Sequence, residues 1–239
     1  MVYLLIVGDT HGDLTPLYSG PETAKERFDI DIDLILSVGD IGMYRDCRDW
    51  ASLRRGPHPP PIPIVGVHGN HDSKRETMEA MFDQVPGLFL FPQGGGLIQQ
   101  HGVTIFGVGG AYDAPLAIPS EGNIPYGERD AIVALERWTE MGSPPVDILL
   151  THEAPTGLGA LGTPGFGTSV WTCGSAAMRA LWLAMRPRIA LSGHYHSRHS
   201  VRQEGLRWEI VPEACTELSV LDTETMQLVS FRENALSAL

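Results

Sequence analysis

Five short clusters of polar residues in this sequence carry side chains that can bind metal ions. The clusters are Asp9-Thr10-His11, Gly39-Asp40, Gly69-Asn70-His71-Asp72, Thr151-His152-Glu153 and Gly193-His194-Tyr195-His196. Carboxylate, amide oxygen and neutral imidazole are ligands that borderline divalent metals such as Mn, Fe, Zn and Co accept. The set is too large for one mononuclear zinc site, so the pattern indicates two metal ions.

Each cluster directly follows a short run of apolar residues. The runs cover residues 2–7, 34–38, 62–67, 146–150 and 189–191. A continuous apolar run that stops at a small or turn-forming residue is typical of a strand buried on both faces of a sheet. If the carboxyl ends of these strands line up, the polar clusters meet along one edge, where open α/β sheets bind ligands.

Helices and hairpins are predicted between and after these strands. The helical segments are residues 15–28, 73–82, 127–141 and 175–185, and the third places Ile132, Leu135, Trp138 and Met141 on one face. Residues 97–100 and 103–108 predict a hairpin that turns at His101-Gly102. The tail, residues 201–211 and 218–231, predicts antiparallel strands that complete a second sheet. This alternation is typical of an α/β protein, and no composition break divides residues 1–239, so one domain is expected.

Composition narrows the partners and the compartment. The chain has 239 residues and a formal net charge of −12, with no basic stripe, which disfavours a nucleic-acid partner. Its three cysteines, Cys47, Cys173 and Cys215, are widely spaced, which favours a reducing compartment. Residues 2–7 are too few for a signal core or a membrane span. A cytoplasmic protein without a membrane partner is therefore expected.

Taken in order, the motifs D-x-H, G-D, G-N-H-D, H and G-H-x-H resemble those of the calcineurin-like metallophosphoesterase superfamily. The resemblance runs from Asp9 to His196, which is most of the chain. It implies a four-layer α/β sandwich, in which two mixed β-sheets lie face to face with helices outside. It also implies a two-metal centre at the strand ends.

The resemblance also implies a role for each ligand. By that likeness, Asp9, His11 and His196 would hold one metal ion, Asn70, His152 and His194 the other, and Asp40 would bridge both. The ions would be two of Mn, Fe, Zn, Ni or Co, with Mn favoured, and would activate a bridging water or hydroxide for in-line attack on phosphorus.

Two further residues of the same motifs have implied catalytic roles. His71 would serve the leaving oxygen as proton donor or charge stabiliser, and Asp72 would orient its imidazole. Every ligand position is filled, which disfavours a non-catalytic scaffold with the same fold.

The motifs predict phosphoester hydrolysis but leave the substrate open. In protein serine/threonine phosphatases, Asp-Arg-Gly follows the same Gly-Asp dipeptide. This sequence lacks it after Gly39-Asp40, which disfavours that class. Residues 147–155, 174–177 and 186–188 resemble the lariat-debranching branch, although that branch commonly has Cys at the position of Asp9. A small phosphodiester or nucleotide is the preferred substrate, with a phosphomonoester or a nucleic acid of the debranching type as alternatives.

Several neighbours of the motifs have two readings. Tyr195 would either flank the substrate or pack beneath the loop that carries His194 and His196. Arg45 and Arg48 would reach a phosphate or lie on the surface, and residues 157–167 would form a flap or an inert loop. Phe166 and Trp171 would stack on a base if that flap forms. His199 is expected at the start of a strand or at the rim of the site.

Overall fold

The computed structural model of the chain describes residues 1–41, 62–69, 72, 87–92, 94–112, 125–126, 128–156 and 174–232. Within these ranges the strands are β1 (Tyr3–Val7), β2 (Leu34–Ser37), β3 (Ile64–Gly66), β4 (Leu88–Leu90), β5 (Gly96–Gln100), β6 (Val103–Val108), β7 (Ala111–Tyr112), β8 (Pro125–Tyr126), β9 (Ile148–Thr151), β10 (Ile189–Ser192), β11 (His199–Gln203), β12 (Leu206–Ile210), β13 (Leu218–Asp222) and β14 (Gln227–Phe231). The helices are α1 (Thr15–Phe28), α2 (Glu128–Glu140) and α3 (Ala176–Met185).

Two mixed sheets of six strands each form the centre of the fold. The first has the order β14-β13-β1-β2-β3-β4, and the second has the order β11-β12-β10-β9-β6-β5. Strands β1 to β4 are parallel, as are β12, β10, β9 and β6. The carboxyl ends of the strands that precede the polar clusters therefore lie along the same edge of each sheet.

Alternating side chains on these strands build three apolar layers. Leu4 and Ile6 of β1 pack with Ile148 and Ile189 of the second sheet, so the two sheets lie face to face. Leu5 and Val7 point to the opposite side, where they pack with residues of α1. On the outer face of the second sheet, Phe106 and Leu149 pack with residues of α2 and α3. The predicted four-layer α/β sandwich is confirmed.

The face that α2 buries differs from the prediction. Ala131 and Ala134 are fully buried and Trp138 is nearly so, whereas Ile132 and Met141 are 49% and 45% exposed. Residues three apart on an α-helix are about 60° short of a full turn, so a run of i+3 steps drifts around the axis. The small alanines let the helix approach the sheet, and the face they share with Trp138 is the buried one.

The tail also differs from the prediction. The β11–β12 hairpin joins the second sheet as expected, but β13 and β14 return to the first sheet, where β13 pairs antiparallel with β1. Residues 218–221 of β13 are buried, which suits an interior strand. The β5–β6 hairpin is confirmed, and His101 and Gly102 both adopt positive φ, as a two-residue hairpin turn requires.

The predicted helix over residues 73–82 lies outside the described residues. None of the helices in the described ranges combines the length and the apolar composition needed to cross a bilayer.

Candidate metal centre

Polar residues from both sheets meet at the seam between them. Asp9 and Asp40 follow β1 and β2 of the first sheet, and His152 follows β9 of the second. His152 Nε2 lies 3.3 Å from Asp40 Oδ2, and its Nδ1 lies 3.5 Å from Asp9 Oδ1. All three side chains are buried. The predicted convergence of these clusters at the strand ends is therefore present in the structure.

The chain turns at this seam in a conformation that non-glycine residues rarely adopt. His11, Asp40, His194 and His196 have φ of 46°, 48°, 69° and 53°. Such left-handed residues cluster at functional sites, where the surrounding structure holds them. Here the amide of His11 donates to the carbonyl of Asp40 at 2.9 Å, which ties the two strand ends of the first sheet together.

Three glycines allow the backbone to approach the polar side chains closely. A Cβ on Gly69 would overlap Asp40 Oδ1, and one on Gly39 would lie 2.6 Å from Nδ1 of His152. A Cβ on Gly193 would lie 2.9 Å from Asp9 Oδ1. The glycines of the G-D, G-N-H-D and G-H-x-H motifs are thus needed for the packing of the site itself.

One group of potential ligands is Asp40, His152 and His194, whose donor atoms lie within 4.8 Å of one another. Val38 carbonyl oxygen lies 2.8 Å from His152 Nδ1. A carbonyl only accepts, so Nδ1 carries a hydrogen, and Nε2, which faces Asp40, is the nitrogen left to bind an ion when the ring is neutral. Such a fixed tautomer is typical of a metal-ligating histidine.

A second group consists of His11, His196 and Glu213, also within 4.8 Å. His11 Nε2 lies 3.1 Å from His196 Nε2, and Asp9 Oδ2 lies 3.9 Å from the same atom. Glu213 contacts the other nitrogen of His196, Nδ1, at 2.6 Å. The loop between β10 and β11 therefore contributes one histidine to each group.

The charges at the seam compensate one another through the histidines. Burial raises the pKa of Asp9 to about 6, although nearby His152 opposes the rise. Burial acts to lower the pKa of His152, but the carboxylates of Asp40 and Asp9 outweigh it and raise the pKa to about 10. Burial lowers the pKa of His194. Buried carboxylates that draw protons onto an imidazole also fit a divalent cation, and the oxygen and nitrogen donors match one.

Glu153 is buried directly behind these ligands. Its Oε1 accepts hydrogen bonds from Tyr195 Oη at 2.6 Å and from the amide of Ala154 at 2.9 Å. Its Oε2 lies 3.9 Å from His194 Nε2. Tyr195 is itself 6% exposed, so it packs beneath the loop that carries His194 and His196. This selects between the two readings of Tyr195 that the sequence allows.

Other predicted site residues fall outside the described part of the chain. These are Asn70, His71, Arg45, Arg48, Phe166, Trp171 and residues 157–167. Asp72 is described and buried, and its Oδ2 accepts a hydrogen bond from the amide of Gly69 at 2.7 Å. The orientation of His71 by Asp72 stays a prediction. His199 begins β11, as expected.

Two residues of the site did not emerge from the sequence as contributors. Glu213 follows strand β12, so it repeats the pattern of a carboxylate just after a strand end. Glu153 is the next residue after His152, within one of the five polar clusters. In both cases the signal was present, but nothing local distinguished these acids from the many surface carboxylates of the chain.

Comparisons with known proteins relate the sequence of this chain to phosphoesterases. The lariat debranching enzyme of Arabidopsis thaliana is 24% identical over 231 residues, which cover 82% of this chain and 54% of that enzyme. The chain spans about half the length of the curated relatives it matches.

Solved structures share the fold over nearly the whole chain. The TT1561 protein of Thermus thermophilus superposes with a TM-score of 0.71 at 19% identity, over 97% of this chain and 98% of that one. A putative 5′-nucleotidase from Staphylococcus aureus gives 0.57 at 13% identity, over 100% and 56%. At these identities the likeness shows the fold alone. The profile of the calcineurin-like phosphoesterase family matches residues 2–198, so the chain belongs to that family.

Proposed function

We propose that this protein is a hydrolase of phosphoester bonds whose seam holds two divalent metal ions, with Mn favoured. The family typically binds divalent metals. The observation that carries the proposal is the pair of donor groups, one around His152 and one around His196, on either side of Asp9. Two separate groups, to each of which the loop after β10 supplies one histidine, fit two ions better than one.

The proposed ligands keep the assignment that the motifs imply. Asp9, His11 and His196 would hold one ion, Asn70, His152 and His194 the other, and Asp40 would bridge them. Asp40 is buried and lies beside His152, and the contact between Asp9 and His196 is consistent with a shared ion. Asn70 enters from the motif alone.

The chemistry divides between the metal centre and the chain. Bound divalent ions would lower the pKa of a shared water and neutralise charge on the phosphoryl oxygens during in-line attack. The carboxylates of Asp9 and Asp40 supply the negative charge that holds such ions, and Val38 fixes the tautomer of His152. His71 would give a proton to the leaving oxygen or stabilise its charge, with Asp72 as its partner.

A small phosphodiester or nucleotide is the proposed substrate. The curated relatives named as lariat debranching enzymes favour a diester over a monoester. The net charge of −12 and the Asp at position 9 weigh against a nucleic acid of the debranching type. A phosphomonoester is the alternative substrate, because a putative 5′-nucleotidase is among the proteins that share this fold.

A hydrolysis panel on the metal-loaded protein tests the function. Bis-p-nitrophenyl phosphate and p-nitrophenyl phosphate, compared after loading with Mn²⁺, separate diesterase from monoesterase activity. Cyclic nucleotides, dinucleotides and short RNA then narrow the class, and elemental analysis gives the number of ions bound. We expect the diester to be cleaved faster, with two ions per chain. No cleavage of any substrate by protein that holds two ions would contradict the proposal and favour a scaffold.

A further inference from the structure

The two ring nitrogens of His196 face different partners. Nδ1 lies 2.6 Å from Oε1 of Glu213, whereas Nε2 faces His11 Nε2 at 3.1 Å and Asp9 Oδ2 at 3.9 Å. An ionised carboxylate accepts hydrogen bonds and donates none, so Nδ1 carries a hydrogen in this contact. The nitrogen available as a ligand is then Nε2, on the side of Asp9 and His11.

The backbone around Glu213 is fixed on both sides. Before it, the amide of Val211 donates to the carbonyl of Ser192 at 2.8 Å, and a side chain on Gly8 would overlap the carbonyl oxygen of Pro212. After it, the amides of Thr216 and Glu217 donate to the carbonyl of Glu213 at 2.9 and 3.2 Å. Glu213 therefore reaches His196 from a loop anchored to the ends of both β1 and β10.

The carboxylate of Glu213 is already engaged through both oxygens. Oε1 contacts His196, and Oε2 lies 3.6 Å from Sγ of Cys215, which donates to it. Its side chain is 29% exposed, so it lies at the rim of the seam. These contacts favour a role through His196 over direct coordination of an ion.

We propose that Glu213 is a positioning residue for the metal centre. Its carboxylate holds the His196 ring so that Nε2 points to the ion shared with Asp9 and His11. The proposal rests on the metal site of the proposed function. Metal-ligating histidines commonly donate their second N–H to a carboxylate, and loss of that partner typically lowers metal affinity about 10- to 100-fold.

Titration of the full chain with Co²⁺ tests the role, because the visible absorption of bound Co²⁺ reports its ligands independently of hydrolysis. We expect Glu213→Ala to weaken one of two Co²⁺ sites about 10- to 100-fold and to change the spectrum of that site. Glu213→Gln keeps an acceptor oxygen, so it should restore most of the affinity. Glu217→Ala is the matched control, because Glu217 lies on the same loop but pairs with Arg198 at 2.6 Å.

Several outcomes would overturn the proposal. They are wild-type Co²⁺ binding by Glu213→Ala, or a Glu213→Gln variant as weak as Glu213→Ala, which would indicate direct coordination. If thermal unfolding shows that metal-free Glu213→Ala does not fold, Glu213→Asp replaces it. Its carboxylate is one methylene shorter and should weaken the same site, and unchanged affinity would overturn the role.

The same titration separates this proposal from the proposed function. A wild-type chain that binds no Co²⁺ would contradict both proposals. If the chain binds two ions but hydrolyses no ester, the proposed reaction is wrong, whereas the proposed effect of Glu213 on ion binding still stands.

Discussion

The hydroxyl of Tyr195 donates a 2.6 Å hydrogen bond to Oε1 of Glu153, and both residues are buried. Tyr195→Phe removes this donor from a buried carboxylate oxygen that also accepts a hydrogen bond from the amide of Ala154. We expect the free energy of unfolding to fall by about 1–3 kcal/mol, because a buried group has lost a partner. Urea denaturation of the metal-free protein measures the change.

Tyr18→Phe is the control for that substitution, because Tyr18 is a partly buried tyrosine on α1, away from the seam. It should leave the unfolding midpoint nearly unchanged. A Tyr195→Phe protein as stable as the wild type would show that the hydrogen bond does not support the loop.

Asp40→Asn should release the metal ions. The substitution keeps the volume of a buried side chain beside His152 but removes its charge and one acceptor oxygen. We expect metal affinity to fall by at least about 100-fold, more than for loss of a supporting residue. Elemental analysis after dialysis measures it, with Asp31→Asn as control, because Asp31 is exposed and pairs with Lys25 on the surface. Wild-type metal content in Asp40→Asn would contradict the bridging role.

Gly69→Ala should damage the site without changing any polar group. A Cβ there would overlap Asp40 Oδ1 and lie 2.6 Å from the amide nitrogen of Asp40. We expect a loss of about 1–3 kcal/mol in unfolding free energy, typical of overpacking, together with weaker metal binding. Gly96→Ala on β5 is the control, since the nearest atom to its Cβ among the described residues would be Cδ of Pro92, at 3.4 Å. Equal stability of the two variants would argue against the tight contact.

Metal affinity should rise with pH. The pKa of His152 is about 10, because Asp40 and Asp9 outweigh the effect of burial, so the metal-free protein carries a proton there at neutral pH. Coordination requires the neutral ring, so that proton must be released, and affinity should rise about tenfold per pH unit for each proton. The pKa of Asp9 is about 6, so below that pH Asp9 is protonated and must also release its proton when an ion binds.

Calorimetric titration with Mn²⁺ at pH values from about 6 to 8, in buffers of different ionisation enthalpy, counts the protons released. An affinity independent of pH, with no buffer dependence of the heat, would show that His152 binds no ion.

His71→Ala should separate binding from turnover. If His71 serves the leaving oxygen, its loss should leave both ions bound and lower turnover by about 10²- to 10⁴-fold. Hydrolysis rates measured beside metal content decide this, with His101→Ala in the β5–β6 turn as control. Loss of ions with retained turnover in His71→Ala would make the assigned role wrong.

Local patterns were enough to predict an α/β protein with Asp9, Asp40 and His152 at one edge of the strands, whereas the sandwich was implied by the family resemblance. Each of these residues follows a buried strand, and parallel strands must end together. The buried face of α2 was mispredicted, because the helix packs closely through the small side chains of Ala131 and Ala134 and not through its largest apolar side chains. That choice depends on the sheet and on α3, which lie far away in sequence.

Partners from distant segments were the hardest part of the site to predict. Glu213 comes near His196 only because β12 lies beside β10 and the loop after it is anchored at Gly8. Tyr195 has the same sequence neighbours whether it faces substrate or core, so only its burial decides. The number of ions and the substrate stay predictions, because they depend on bound groups and on segments outside the described residues.

Because β13 returns to the first sheet, residues near the end of the sequence support the strand that leads into the metal centre. β13 pairs with β1 along Leu5 and Val220, and β1 leads directly into Gly8 and Asp9. A truncation before Leu218 would leave one side of β1 without its main-chain partner, although it removes no proposed ligand. The β13–β14 hairpin therefore stabilises β1 from one side. The effect of tags, fusions and truncations at this hairpin should be measured as a change in ion binding.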